Sequence, residues 1–500
     1  TDGLWLQAGT INNGGLLEGD TALLIAADDI DIHGGEISTR YGLSLQAGRD
    51  IRAASSIRNS VRLVRTRSAT SNASRTGIGR LALLHVNDRG NLRLLAGRDI
   101  KLDAAKLRQQ ESGEIAVVAG RELYLGTLTT RSSTAATDPA SANYLREAES
   151  ADTGTSIEAK GSIALVAAHD LAARAAHVES TGDTVALSAA HELAIAAGEA
   201  GDSFATGSEF HQGGFLGTAT STSGNALNRH DALASVVSGN AVVLNAGQDL
   251  YVSGSDISGD NATRLQAGRD LTIDAATQSR RSTSFNRETR SGLLSGPGLS
   301  ISIGKLQQQQ SNEQRSVSQR GSLVGSQAGG VSIGAGNNYR QQASQIIALS
   351  GPVNIAATNV DITGGQTTYE SRKTASSSQS GVAITLSNPV IDTSQSLKNL
   401  NDARQSTHSD RAKALAAAAS VLDVANVAKE VTRDPAHAGG LTLAATIGSS
   451  KAESITVEQA STVAPSLITA NGNINIRAQD GPQATLSIVG SRVSAGEAIS

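Results

Sequence analysis

A seven-residue motif recurs along this chain, and its spacing limits the possible folds more than any other feature. Eight copies align without gaps: Leu24–Ile30, Leu45–Ile51, Leu94–Ile100, Val117–Leu123, Leu165–Leu171, Leu187–Leu193, Leu244–Leu250 and Leu265–Leu271. Most read Leu-x-Ala-Gly/Ala-x-Asp/Glu-Ile/Leu. The acid falls at Asp29, Asp50, Asp99, Glu122, Asp170, Glu192, Asp249 and Asp270, in steps of 21, 49, 23, 48, 22, 57 and 21 residues. The short step reads as one coil of a repeat fold. The long step reads as about two coils, or as one coil plus an insertion.

Each copy has a local physical reading. Around the last one, Leu265, Ala267, Leu271, Ile273 and Ala275 alternate with Gln266, Thr272 and Asp274. Period two marks a strand with one buried face. Gly268-Arg269-Asp270 breaks the alternation and reads as a turn. There Gly supplies an unusual backbone conformation and Asp bonds neighbouring amides. The acid and the basic residue before it are expected in solvent, with the flanking Leu and Ala forming the core. Stacked in parallel, such units make an all-β fold: a right-handed parallel β-helix (solenoid) with hairpin or loop insertions and one helical insertion. Composition agrees, because aromatics are only 2 % of residues and Gly reaches 52. Thin layers of small and aliphatic side chains suit a solenoid. A leucine-rich horseshoe lacks its L-x-x-L-x-L-x-x-N/C pattern here, and antiparallel sandwiches do not need a corner of fixed phase.

The chain then divides as follows. Residues 1–275 are regular coils with insertions near 52–80, 126–157 and 199–235. Residues 276–366 are degraded coils with a projecting hairpin at 276–325. Residues 367–470 are an insertion with a helix at about 394–431, where Leu415, Ala416, Ala419, Leu422 and Ala428 follow a helical period. Residues 471–500 resume the coils, with Asn-rich corners that can bond as ladders along the stack. The insertion at 52–80 holds seven Arg and no acid. Its plain reading is a loop or hairpin with a solvated basic face. The functional reading is contact with anionic head groups at a cell surface, through Arg58, Arg62, Arg65 and Arg67, together with Phe204, Phe210 and Phe215 of 199–235.

The sequence carries few residues in patterns that support chemistry. Net charge is −4, which gives no case for nucleic acid. There is no Cys, hence no disulfide and no thiolate metal site. No run of eighteen apolar residues is present to span a bilayer as a helix. The lack of an initial Met and of an apolar leader over residues 1–13 is what a segment of a longer chain would show. No nucleophile elbow, HExxH or P-loop occurs. An acid repeated in every coil is an element of the fold, so no catalytic residue and no cofactor are assigned. No metal site is assigned either. The one constellation with ligand chemistry is His169-Asp170 and His191-Glu192, at the same phase of neighbouring coils. Its plainer reading is that His takes an exposed corner slot held elsewhere by Arg or Gln.

The AGRDI and AGRDL corners, the LSISIG stretch at 299–304 and the block LSNPVIDTSQSLKNL at 386–400 resemble the haemagglutinin repeats of filamentous-haemagglutinin-like, two-partner-secreted exoproteins. That block, the Ala-rich segment after it and IGSSKAES at 447–454 look most like the second repeat region of contact-dependent growth-inhibition toxins. The resemblance implies a secreted or cell-surface β-helical filament exported through an outer-membrane partner. It implies flanking repeats in a longer protein, and contact with a target cell's outer membrane or surface receptor. The leading reading is a filament segment that supports delivery of a C-terminal toxin to neighbouring bacteria. The alternatives are a direct adhesin acting through the insertions and, further off, a β-helical polysaccharide-degrading enzyme.

Overall fold

The computed structural model describes residues 3–387 and 442–500, apart from 68, 139, 215–216, 297–299 and 480–483. Every helix or strand element among them is a strand. The helix expected at about 394–431 lies outside the described residues. No helix among the described residues is long and apolar enough to cross a membrane.

Most of the chain builds a repeating unit of three short strands. In one unit these are Lys106–Gln109, Ile115–Ala119 and Leu123–Gly126, and the corner motif joins the second to the third. Each strand pairs in parallel with the equivalent strand of the units before and after. Along the second column, Leu43, Leu92, Ile115, Ile163 and Val185 stand in one register. Along the third, Ile30, Ile51, Ile100, Leu123, Leu171 and Leu193 do the same. The first column carries Ile37, Leu84, Leu107, Ile157 and Val178 likewise.

Burial follows the alternation. Leu92, Leu94 and Ala96 are buried while Arg93 and Leu95 are not, and Ile100 and Leu102 are buried while Lys101 is not. The inward residues of all units form one continuous aliphatic core. Among the described residues one large aromatic enters it, Tyr339, whose hydroxyl bonds Gln341 Oε1 at 3.0 Å. The corner glycines are explained by crowding. A Cβ on Gly97 would meet the carbonyl oxygen of Gly48 one unit earlier, and a Cβ on Gly268 would meet that of Gly247. Neither has a positive φ. The unusual backbone expected at these corners is therefore absent, and close approach of stacked backbones is the reason for the small residue.

After the first junction, where Asn13 passes to Leu16 through Gly14-Gly15, the junction between the third strand of a unit and the first strand of the next behaves in two ways, and they alternate. At every second junction the chain turns tightly through a left-handed residue: Gly34, Ala104, Ala175, Gly254, Ala343 and Gly490, with φ between 46° and 60°. At the junctions between, a hairpin leaves the stack. Its strands are Ile57–Arg65 with Thr70–Ile78, the distal part of Leu123–Thr137 with Tyr144–Gly154, Gly198–Gly214 with Gly217–Leu233, Ala276–Gly296 with Ser300–Arg320, and Gly365–Ser387 with Thr442–Ala464.

These five hairpins pair edge to edge into one ten-stranded antiparallel sheet, here called the fin. The geometry is commensurate. Strands repeat at about 4.8 Å whether parallel or antiparallel, so two hairpin strands occupy the same rise as two stacked units. Hairpins from every second unit therefore meet without a gap. Arg52 belongs to a strand of the stack, bonded to Asp50, and so lies outside the hairpin that fills most of 52–80.

Candidate functional site

Polar and charged side chains gather at three places: the corner column, the foot of the fin and the fin faces.

At the corner, each Asp serves the next unit. Asp29 accepts from Arg49 Nη2 at 2.8 Å and from the Asp50 amide at 3.2 Å. Asp50 accepts from Arg98 Nε at 2.7 Å and the Asp99 amide at 3.3 Å. Asp99 takes Arg121 Nε at 2.8 Å and the Glu122 amide at 3.2 Å. Asp249 takes Arg269 Nε at 2.8 Å and the Asp270 amide at 3.3 Å. The Arg98 guanidinium beside Asp50 holds its carboxyl below the usual carboxylate range, against burial, which pushes it up. Arg121 does the same for Asp99, and Arg269 for Asp249.

The expectation of solvated acids is thus corrected. Side-chain exposure is 3 % at Asp50 and 6 % at Asp249. The Arg covers the acid of the preceding unit, and the acid satisfies a backbone donor that the turn leaves unpaired. Glu122 and Glu192 depart from this. Glu122 is half exposed, and the Asp249 amide turns to the His191 carbonyl at 3.2 Å. Beyond Asp270 the ladder continues through amides: Asn338 Nδ2 bonds Asp270 at 2.8 Å, and Asn359 Nδ2 bonds Asn338 at 3.0 Å.

His169 and His191 interrupt the Arg pattern. Both rings reach Asp170, with His169 Nδ1 at 2.9 Å from Oδ2 and His191 Nδ1 at 3.0 Å from Oδ1. The rings stack with centroids 4.7 Å apart. Burial pushes the Asp170 carboxyl up, but the Glu192 amide and the two imidazoles outweigh it and hold it below its ordinary range. Of the four residues singled out in sequence, three therefore converge. Glu192 contributes its amide to Asp170 at 3.0 Å, and its carboxylate is not part of the cluster.

At the foot of each hairpin a buried hydroxyl bonds a carbonyl of the stack. Ser55, Thr155, Ser235, Ser322 and Ser466 each donate at 2.6 Å, to Ala104, Leu102, Ala196, Asp274 and Thr363 respectively. The carbonyls of Ala196, Asp274 and Thr363 also accept an amide from the neighbouring tight turn, so there the hydroxyl takes the second lone pair and ties the hairpin's foot to the stack. Arg174, on a tightly turning unit, ties Asp152 of one hairpin (3.0 Å) to Glu199 of the next (3.2 Å). No sequence motif marked these groups.

The fin is a single layer. Phe204, Phe285 and Tyr369 are each about two-fifths exposed. Arg62 and Phe204 share one cross-strand row, through Ala73, Thr134 and Glu147. Arg58 lies on the same face, while Arg65, three residues beyond Arg62, lies on the other. The basic strand therefore borders acids, since Glu149 and Asp202 stand opposite each other and line a shallow concavity with Arg58 and Arg75. Arg67 lies at the turn of the first hairpin, Phe210 is exposed, and Phe215 lies outside the described residues. Tyr144 and Phe285 cover Gly207 and Gly224, where a Cβ would strike the rings.

Comparison with known proteins places these features. A family model described as hemagglutinin repeat matches residues 216–381 and 447–500. The chain is 29 % identical over 257 residues to the deoxyribonuclease CdiA of Yersinia pseudotuberculosis, covering 50 % of this chain and 24 % of that protein. It is 27 % identical over 436 residues to the tRNA nuclease CdiA-2 of Burkholderia pseudomallei, covering 82 % and 14 %. It is 36 % identical over 175 residues to the tRNA nuclease CdiA of Yersinia mollaretii, covering 34 % and 6 %. The chain thus spans a quarter or less of the length of these relatives. No solved structure matches it.

Proposed function

We propose that this chain, a haemagglutinin-repeat region of CdiA-like proteins, is a right-handed parallel β-solenoid segment of an exported surface protein and supports delivery of a C-terminal toxin into neighbouring bacteria. In this reading the segment is a non-enzymatic carrier, secreted through an outer-membrane partner and acting outside the cell. The nuclease names of the relatives belong to proteins at least four times longer than the matched stretch.

The observation that carries this reading is the make-up of the fin along its length. Gly214, Gly217, Gly292 and Gly304 stand in one row across adjacent strands. Below that row the hairpins are rich in Ser, Thr, Gln and Arg. Beyond it the sequence turns apolar: Leu293-Leu294 and Ile301-Ser302-Ile303 in one hairpin, Val382, Ile384 and Leu386 in the next. In register with the latter three are Ile447, Ala445 and Leu443. A hairpin with a polar stem and an apolar end is suited to entering a lipid surface end-on.

Vesicle flotation with the four-site variant Leu293→Asp, Leu294→Asp, Ile301→Asp and Ile303→Asp tests this. The expected result is loss of binding to outer-membrane lipid vesicles, with loss of toxin delivery when the full-length parent carries the same changes. Binding and delivery at the unaltered level would overturn the reading. The adhesin reading is favoured by one observation, the shared row of Arg62 and Phe204. It predicts that Arg62→Ser with Phe204→Ser abolishes cell attachment while vesicle binding persists.

A further inference from the structure

We propose that His169, Asp170 and His191 form a binding site for a first-row transition cation, Zn²⁺, Ni²⁺ or Cu²⁺, held across two stacked units. The inference is independent of the delivery reading.

Three observations carry it. The slot before the corner acid holds Arg in four of the eight motifs, at Arg49, Arg98, Arg121 and Arg269. Guanidinium there bridges two units and leaves no lone pair for a metal. At 169 and 191 it is replaced, in successive units, by imidazole, with one carboxylate reaching both rings. The ligand atoms lie within 4.8 Å of one another, and each ring nitrogen already lies beside its own oxygen of the Asp170 carboxylate, His169 Nδ1 at 2.9 Å from Oδ2 and His191 Nδ1 at 3.0 Å from Oδ1. Metal–ligand bonds of about 2.0–2.2 Å require donors roughly 3–3.5 Å apart, so the two rings have to approach each other across the carboxylate. Rotation of the rings supplies that movement, because the side chains of His169 and His191 are 55 % and 39 % exposed.

The donor set fixes the class of ion. Two imidazole nitrogens and one carboxylate oxygen favour zinc, nickel and copper over magnesium and calcium. The Glu192 amide bonded to Asp170 Oδ1 at 3.0 Å orients the carboxylate from behind. Water completes the shell on the open side. Binding moves the ring proton of each neutral imidazole from Nδ1 to Nε2, so no proton need leave. The ion then performs the cross-unit clamping that Arg98 performs for Asp50.

Calorimetric titration of the whole chain, free of any histidine tag, with ZnCl₂ or NiSO₄ tests the site. One ion per chain is expected. His191→Arg is the informative variant, because it installs the residue that the other units use and so restores an Arg–Asp bridge. It should keep the circular dichroism spectrum and weaken binding by at least about tenfold. His169→Gln should do the same. Copper(II) bound to the parent chain should show hyperfine coupling to two imidazole nitrogens. Absence of stoichiometric binding, binding undiminished in His191→Arg, or a copper signal from a single nitrogen would each overturn the proposal.

Discussion

The stack and the fin are both β-sheet, yet they solve opposite problems. In the stack, neighbours are parallel, inward side chains are aliphatic, and positions such as Leu94, Ile100 and Leu107 are fully or almost fully withdrawn from water. Burial of each such side chain contributes about 1.5–3 kcal/mol. In the fin, neighbours are antiparallel, the side chains are mostly Ser, Thr, Gln and Arg, and neither face is covered among the described residues. Its cohesion comes from backbone hydrogen bonds, from rings laid over glycines and from ion pairs such as Arg281–Glu313 at 2.7 Å. Exposed pairs of that kind contribute little, at most about 1 kcal/mol. The fin is ordered because the stack holds its feet at the correct spacing. One region supplies free energy and the other borrows geometry.

The sharpest way to break this relation is to change the parity of the stack. Deleting residues 170–191 removes one tightly turning unit and joins His169 to Glu192. Two hairpins then issue from adjacent units, about 4.8 Å apart where about 9.6 Å is needed. Pairing of Tyr144–Ala151 with Ala200–Gly207 should be lost, seen as fast amide exchange and proteolysis in both hairpins while the stack stays protected. Deleting residues 123–192 removes two units and one hairpin, and should leave the fin continuous. Equal protection of the fin in the two deletions would refute the spacing argument.

Substitutions sharpen the comparison at smaller scale. Leu94→Ala, in the stack, should cost about 2–5 kcal/mol through cavity formation, whereas Ser282→Ala, in the fin, should stay within about 0.5 kcal/mol. Chemical denaturation of both variants measures the contrast, and similar losses would show that the fin is a packed element. Asp50→Asn should cost about 1.5–3 kcal/mol, the range for a hydrogen bond to a charged group. Because the folded carboxyl of Asp50 is held below its ordinary 3.8, its contribution is complete above that pH and is lost as pH falls through the folded value. The parent should therefore lose stability more steeply below pH 3.8 than the variant. Ala175→Gly has the opposite sign. Ala175 sits at φ 46°, where an L side chain costs about 1–2 kcal/mol. Relief of that strain, less the entropy cost of glycine, should raise stability by roughly 0.5–1 kcal/mol, read as slower exchange at the neighbouring junction.

The sequence revealed the two regions unequally, for a physical reason. Stacked backbones crowd the corner, so Ala47, Gly48 and Asp50 recur as Ala96, Gly97 and Asp99, and self-comparison finds them. Sequence alone still places the acids in solvent, because the Arg that covers an acid belongs to another unit, 48 residues away for Asp50 and Arg98. Among the described residues the fin has no buried face, so apolar alternation announces few of its strands, and only those at 276–325 read as a projecting hairpin. Arg62 and Phe204 lie 142 residues apart in sequence, and only the register of five strands places them in one row. The trace of the fin in the sequence was the uneven step between corners, which reads equally as a second coil or as an insertion. The metal-ligand trio was partly legible, since His169 and His191 share a phase. The exclusion of Glu192 depended on which of its atoms faces Asp170.

The alternation of tight turns and hairpins bears on how a gene for such a protein can lengthen or shorten. Similar stretches coding for the corner invite misaligned crossing-over, and any corner can exchange with any other while the register of the stacked strands is kept. Only offsets by an even number of corners return a hairpin to its neighbour. Length polymorphism in this lineage should therefore come in double steps, with an inheritance rule set by the distance between two β-strands.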